Sequence, residues 1–213
     1  MGDFRTKYAM IGMAYVAENY PLYYDATNEK GLSMAGLAFW DSAYYAPEQD
    51  NGAKQVASYE FIPWVLGQCE NLMQARGLRV TNAAFRPELP PSPLHWMIAD
   101  RSGAIVVEAT KDGVKIYDNP AGVLTNEPPF DWQMTNLRNY LTLTPGIPKS
   151  TFAENLPLTP YSKGMGALGL PGDLSSASRF VRAAFVRGNS LSSEDEGESV
   201  GQFFHILRSV EQP

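Results

Sequence analysis

Residues Leu94–Tyr117 read LHWMIADRSGAIVVEATKDGVKIY, and their order decides the fold class. Leu94–Ala99 and Ala104–Ala109 are apolar runs rich in β-branched residues, placed on either side of the tight-turn tetrapeptide Asp100-Arg101-Ser102-Gly103. A second turn at Asp112-Gly113 leads into Val114–Tyr117, so the stretch is an antiparallel meander. Upstream, Lys7–Val16 reads as a strand, and Leu22–Ala26 with Leu32–Phe39 forms a hairpin around Thr27–Gly31. Tyr59–Arg76 reads as a helix broken near Cys69, with Phe61, Val65, Leu66 and Leu72 on one face. Downstream, Val123–Asn126 reads as a short strand end and Asp131–Leu141 as a helix, and Thr144–Gly172 is a loop rich in Pro, Gly, Ser and Thr. Helices over Ser176–Arg187 and Ser199–Val210, separated by the acidic loop Asn189–Gly197, close the chain. Strands grouped together with helices before and after indicate a layered α+β domain rather than a parallel, doubly wound sheet.

The chain has 213 residues, 44% of them hydrophobic and 19% charged, an ordinary globular composition for one domain over residues 1–213. No repeat or long linker divides it. A net charge of −6 argues against a nucleic acid partner. The single cysteine and the two histidines, without an HExxH pattern, leave no expected metal site and no expected cofactor. No apolar run approaches the ~18 residues of a membrane span. The opening MGDFRTKY is charged from its third residue and offers no apolar signal stretch, so the expected location is the cytoplasm. Met1-Gly2 with Thr6 fits a loose N-acylation pattern that recurs by chance.

Gly164-Met165-Gly166-Ala167-Leu168-Gly169 spells GxGxxG, but no strand precedes it and Pro171-Gly172 follows where a helix should open, so it reads as a turning loop. Cys69 reads as a buried structural thiol, and His95 and His205 as satisfied, half-buried histidines. Asn126 ends an apolar run beside Glu127-Pro128-Pro129, where a carboxamide can donate into a cleft or simply serve the turn. Arg179, in the first turn of a helix, opposes the helix dipole, which points to a role other than helix stability or to an ordinary surface arginine. Trp40, Tyr44 and Tyr45 with Tyr20, Tyr23 and Tyr24 suit either a bulky apolar ligand or a core.

Six segments carry a resemblance: YPLYYDATNEKGLSMAGL (Tyr20–Leu37), EFIPWVLGQC (Glu60–Cys69), SPLHWMIAD (Ser92–Asp100), GVLTNEPPFDWQ (Gly122–Gln133), GMGALGLPGDLSSASRFVRAAF (Gly164–Phe185) and QFFHILRSVEQ (Gln202–Gln212). In order and almost end to end, they resemble the choloylglycine hydrolase family, and within it the bile salt hydrolases more than the penicillin V acylases. The resemblance implies an N-terminal-nucleophile amidohydrolase with an αββα four-layer sandwich. Its implied substrates are glycine- or taurine-conjugated bile acids, cleaved at the amide by a Cys exposed as the mature first residue. It implies Asn126 as the side-chain oxyanion donor, Arg179 as the active-site arginine, and the backbone N–H of Ala38, which follows the AGL of Ala35–Leu37, as the second oxyanion donor. In bile salt hydrolases that position is typically Asn, and a backbone donor survives the change to Ala. Ala17, Tyr24, Phe85 and Leu89 fall where the family lines its steroid pocket. A homotetramer is implied for the complete enzyme.

The family's Cys, with an Arg and an Asp shortly after it, lies upstream of KYAMIG, and further strands follow VEQ. Neither segment is in this sequence. The resemblance therefore implies a sandwich incomplete at both ends, inactive by itself and prone to self-association. A penicillin V acylase-type amidase and a bile-acid-binding remnant without catalysis are the alternatives.

Overall fold

The computed structural model describes residues 5–45, 56–78 and 92–212. Two compact units, Met1–Asp131 and Trp132–Pro213, divide the chain. In the first, strands β1 (Met10–Ala17), β2 (Tyr20–Asn28), β3 (Ser33–Ala38), β4 (Leu94–Asp100), β5 (Gly103–Thr110) and β6 (Gly113–Asp118) form one sheet in sequence order, every neighbouring pair antiparallel. Short helices α1 (Phe61–Leu66) and α2 (Leu72–Gly77) lie between β3 and β4 in the chain.

Turn chemistry sets this order locally. Glu18 and Asn19 both take positive φ and close the β1–β2 hairpin, which starts β2 at Tyr20, two residues before the expected Leu22. At the β2–β3 turn, the Asn28 carbonyl oxygen Oδ1 accepts from Lys30 N and Leu32 N, while Nδ2 donates to the carbonyls of Leu66 and Cys69. One buried carboxamide thus shapes the hairpin and anchors the end of α1. Asp100 acts similarly, accepting from Ser102 N in its own turn and from Leu72 N at the start of α2. These donors, led by the Ser102 hydroxyl, hold the Asp100 carboxyl below the usual range. The expected helix break near Cys69 is the segment between α1 and α2, and Asn71 caps α2 by accepting from Gln74 N.

Alternation sorts the sheet into two faces. Ala26, Met34, Trp96, Ile98, Ile105, Val107 and Ala109 pack with Phe61, Ile62, Val65 and Leu66 of α1 into the core. Each fully buried large side chain there contributes about 1.5–3 kcal/mol. Cys69 belongs to this core, and burial pushes its thiol pKa up, as expected of a structural thiol. β5 is buried on both faces from Ile105 to Thr110. Its second face carries Glu108, beside His95 of β4.

In the second unit, α3 (Phe130–Leu137) runs over the division and is followed by an irregular stretch containing the GxGxxG segment, then α4 (Ser176–Gly188) and α5 (Glu196–Arg208). The loop reading of GxGxxG holds: Ala167 and Gly169 take positive φ, and Gly166 lies so close to the Pro145 carbonyl that a Cβ would clash. Ser175 caps α4 and Asp195 caps α5 through Ser178 N and Glu198 N. Arg182 donates to the carbonyls of Pro171, Asp173 and Ser209, tying α4 to its own approach and to the end of α5.

Two expectations need correction. Val123–Asn126 is not a strand, because its carbonyls are met by side chains, Val123 O by Asn119 Nδ2 and Thr125 O by His95 Nε2 of β4, rather than by a ladder. His205 is exposed, since no residue of α5 is buried, and its place in the last turn suits the helix dipole.

Candidate active site

Phe39 N donates to Pro93 O, so the pair Ala38↔Leu94 is one that exchanges no hydrogen bonds, and the Ala38 N–H and C=O point away from β4. On that other side the β2–β3 pairing ends at Asp25↔Ala35. Both polar groups of Ala38 therefore face a splay between β2 and β3 instead of a ladder. Asn126 fills part of it: its Nδ2 donates to the Ala38 carbonyl at 3.0 Å. Two residues 88 positions apart, both singled out in the sequence, meet at one spot.

Three side chains, His95, Glu108 and Glu127, fix the segment that carries Asn126. His95, fully buried on β4, stacks on Phe39 with ring centroids 4.3 Å apart and planes 10° apart. Its Nε2 meets the Thr125 carbonyl at 2.7 Å, and its Nδ1 meets Glu108 Oε1 at 3.0 Å. The same Glu108 oxygen accepts from Phe130 N at 2.9 Å. Glu127 accepts from Asp41 N, Ser42 N and Ser42 Oγ, joining the Asn126 segment to the turn just after Ala38. The other Glu108 oxygen, Oε2, is buried with no hydrogen-bond partner among the described residues.

Of the pocket positions, Ala17 is half-buried at the end of β1, and Tyr24 is the extra residue of a β-bulge, since Met13 pairs with Asp25 and Ala14 with Tyr23. The bulge turns Tyr24 outward, and it is exposed. Phe85 and Leu89 lie outside the described residues. The aromatic group expected around the hairpin does not form one surface. Tyr23 and Tyr45 pack on the core, Tyr45 also bonding Ser92 O and Leu94 N, whereas Trp40 is exposed.

Arg179 sits on α4 in the second unit, half-buried, with its Nε donating to Leu174 O. Burial first, and Arg182 second, lower its pKa. Asp173 lies just before α4, its carboxyl held well below the usual range by hydrogen bonds from the Ser175 and Ser178 hydroxyls. Among the described residues no group of three or more His, Cys, Asp or Glu side chains is disposed to hold a metal.

The family of linear amide C–N hydrolases known as choloylglycine hydrolases matches residues 2–213. The chain belongs to the choloylglycine hydrolase family. A bile salt hydrolase/transferase of Lactiplantibacillus plantarum is 53% identical over 209 residues, covering 96% of this chain and 64% of that protein. A crystal structure of a variant of the conjugated bile acid hydrolase from Clostridium perfringens superposes with TM-score 0.82 at 38% identity, covering 98% of this chain and 65% of that one. Penicillin V acylase from Agrobacterium tumefaciens, with TM-score 0.74 and 23% identity, shares the fold. The chain thus spans a little under two thirds of these bile salt hydrolases. Its α+β architecture is that of the N-terminal-nucleophile hydrolases in this choloylglycine hydrolase family.

Sequence reasoning found Asn126 and Ala38 but passed over His95, Glu108 and Glu127. The available signal was Glu108, a lone carboxylate inside the apolar run Ile105–Ala109.

Proposed function

We propose that this choloylglycine hydrolase is a bile salt hydrolase that cleaves the amide bond of glycine- or taurine-conjugated bile acids. The observation that carries the reading is the Asn126 carboxamide seated against the Ala38 backbone, in the splay where β2 and β3 part. A thiolate adding to the amide carbon drives negative charge onto the carbonyl oxygen. Donors already fixed in place stabilise that oxygen without reorganising. In this reading Asn126 Nδ2–H and Ala38 N–H are the donors, and the substitution-tolerant backbone N–H explains how Ala serves at that position. Collapse of the tetrahedral adduct expels glycine or taurine, which takes a proton relayed by the nucleophile's own α-amino group. Water then hydrolyses the thioester and frees the bile acid and the thiol.

The single thiol of this chain, Cys69, is buried in the core with a raised pKa, so the nucleophile in this mechanism is the N-terminal Cys implied by the resemblance, not Cys69. Arg179 serves as the cation beside it, and Ala17, Tyr24, Phe85 and Leu89 line the steroid pocket. The one-domain sandwich, the tetramer and the cytoplasmic location belong to the same proposal. No helix among the described residues is long and apolar enough to cross a membrane.

The test is release of glycine and taurine from glycocholate and taurocholate by the full-length gene product, beside penicillin V. Preferential turnover of penicillin V overturns the substrate assignment. The buried Cys69 also favours a second reading for the 213-residue chain taken alone, bile acid binding without cleavage. Micromolar cholate binding with no hydrolysis supports it, and hydrolysis by the chain alone excludes it.

A further inference from the structure

We propose that the buried His95–Glu108 pair is a positioning unit that aims the Asn126 carboxamide. The proposal rests on the reading of Asn126 as an oxyanion donor. Its warrant is where the pair's hydrogen bonds land. His95 Nε2 reaches the carbonyl of Thr125, the residue before Asn126, and Glu108 Oε1 receives the N–H of Phe130, which closes the same segment. The intervening Asn126–Pro129 stretch has no ladder or helix of its own. Sheet strands β4 and β5 thereby transmit their rigidity to an irregular loop through two side chains.

Proton accounting makes the pair directional. The Thr125 carbonyl can only accept, so Nε2 carries a proton and donates. The contact between Nδ1 and Glu108 Oε1 holds a second proton, which fixes the ring orientation and sets Nε2 on Thr125. Phe39 stacked on the ring blocks rotation, and Phe39 directly follows Ala38. The unit therefore registers both members of the site, Asn126 through Thr125 and Ala38 through Phe39.

A stabilising role alone does not account for this arrangement. Both side chains are fully buried, yet Glu108 Oε2 lacks a hydrogen-bond partner among the described residues. Apolar residues of similar volume are often as stable as a buried ionisable pair, so stability alone gives little reason to keep it.

The experiment uses four variants of the full-length enzyme. The double variant His95→Phe with Glu108→Met removes both partners together and avoids stranding a buried charge. Its kcat should fall roughly 10–100-fold, as for other groups that orient an active residue, with KM nearly unchanged. His95→Gln keeps a donor toward Thr125 and should restore kcat to within about threefold of the parent. In an Asn126→Ala background the double variant should cause no further loss. Full additivity in that background, or a defect confined to KM, overturns the proposal. A second readout needs no turnover. In the full-length enzyme, the side-chain amide protons of Asn126, observed by NMR, should exchange at least tenfold faster in the double variant, while β3–β4 backbone amides stay protected. Unchanged exchange overturns the proposal. If Asn126→Ala leaves turnover of every tested amide intact, the oxyanion reading has failed, and the NMR result still decides positioning.

Discussion

Two irregular stretches of the molecule behave in opposite ways. Thr125–Phe130 has no ladder, yet Thr125 and Phe130 are buried and the segment is tied to β4, β5 and the turn after β3. Residues 149–164 are equally irregular but exposed throughout, with Phe152 at 77% and Tyr161 at 88% of full exposure. Their side-chain bonds are short-range, such as Ser150 Oγ accepting from Leu158 N and Ser162 Oγ from Gly164 N. The difference teaches that a loop becomes a site when buried polar groups on a rigid sheet hold its backbone. Proline content does not do it, since both stretches are proline-rich.

The sharpest way to break the contrast is to remove what the held loop holds. Asn126→Ala in the full-length enzyme should lower kcat about 10²–10³-fold, the scale for one lost oxyanion donor. Steady-state kinetics on glycocholate measure it, and near-native turnover removes Asn126 from the site. Next comes the tether. Glu127→Ala removes the acceptor of the Asp41 and Ser42 N–H groups and of the Ser42 hydroxyl, and a hydrogen bond to a charged acceptor is worth about 1.5–3 kcal/mol. Urea unfolding should show a lower midpoint, and an unchanged midpoint argues that Glu127 does not hold the loop.

Asp173 tests a smaller, pH-gated anchor at the border of the other loop. Its folded pKa is depressed by the Ser175 and Ser178 hydroxyls. The stability it confers is present above the ordinary carboxylate pKa of about 3.9 and is lost as pH falls below that value. Acid titration of the α4 amide signals should show a step in the parent that is absent in Asp173→Asn, and identical profiles count against the anchor. Smallest of all, Phe152→Ser in the exposed stretch should shift stability by no more than about 0.5 kcal/mol. A larger loss of denaturation midpoint would mean that the stretch is anchored after all.

The same contrast explains what could be read in advance. Alternation and turn residues located the β4–β5–β6 meander to within a residue or two, because those signals act between near neighbours. Family motifs named Asn126 and Ala38, and the structure brings them together. The Val123–Asn126 segment was misjudged because its Thr125 carbonyl is held by His95, whose influence crosses 30 positions of chain. His95 was dismissed for being satisfied in the core. That satisfaction is how it grips Thr125.

Ala38 carries a consequence in the language of codons. Asn126 rests on its main-chain carbonyl, which every amino acid possesses, so no missense change at codon 38 can delete that seat. The neighbouring N–H is vulnerable to one replacement alone, proline, and an alanine codon lies a single first-base transversion from it. Of the changes open to this codon, the one to proline is the one that removes a backbone hydrogen-bonding group rather than a side chain.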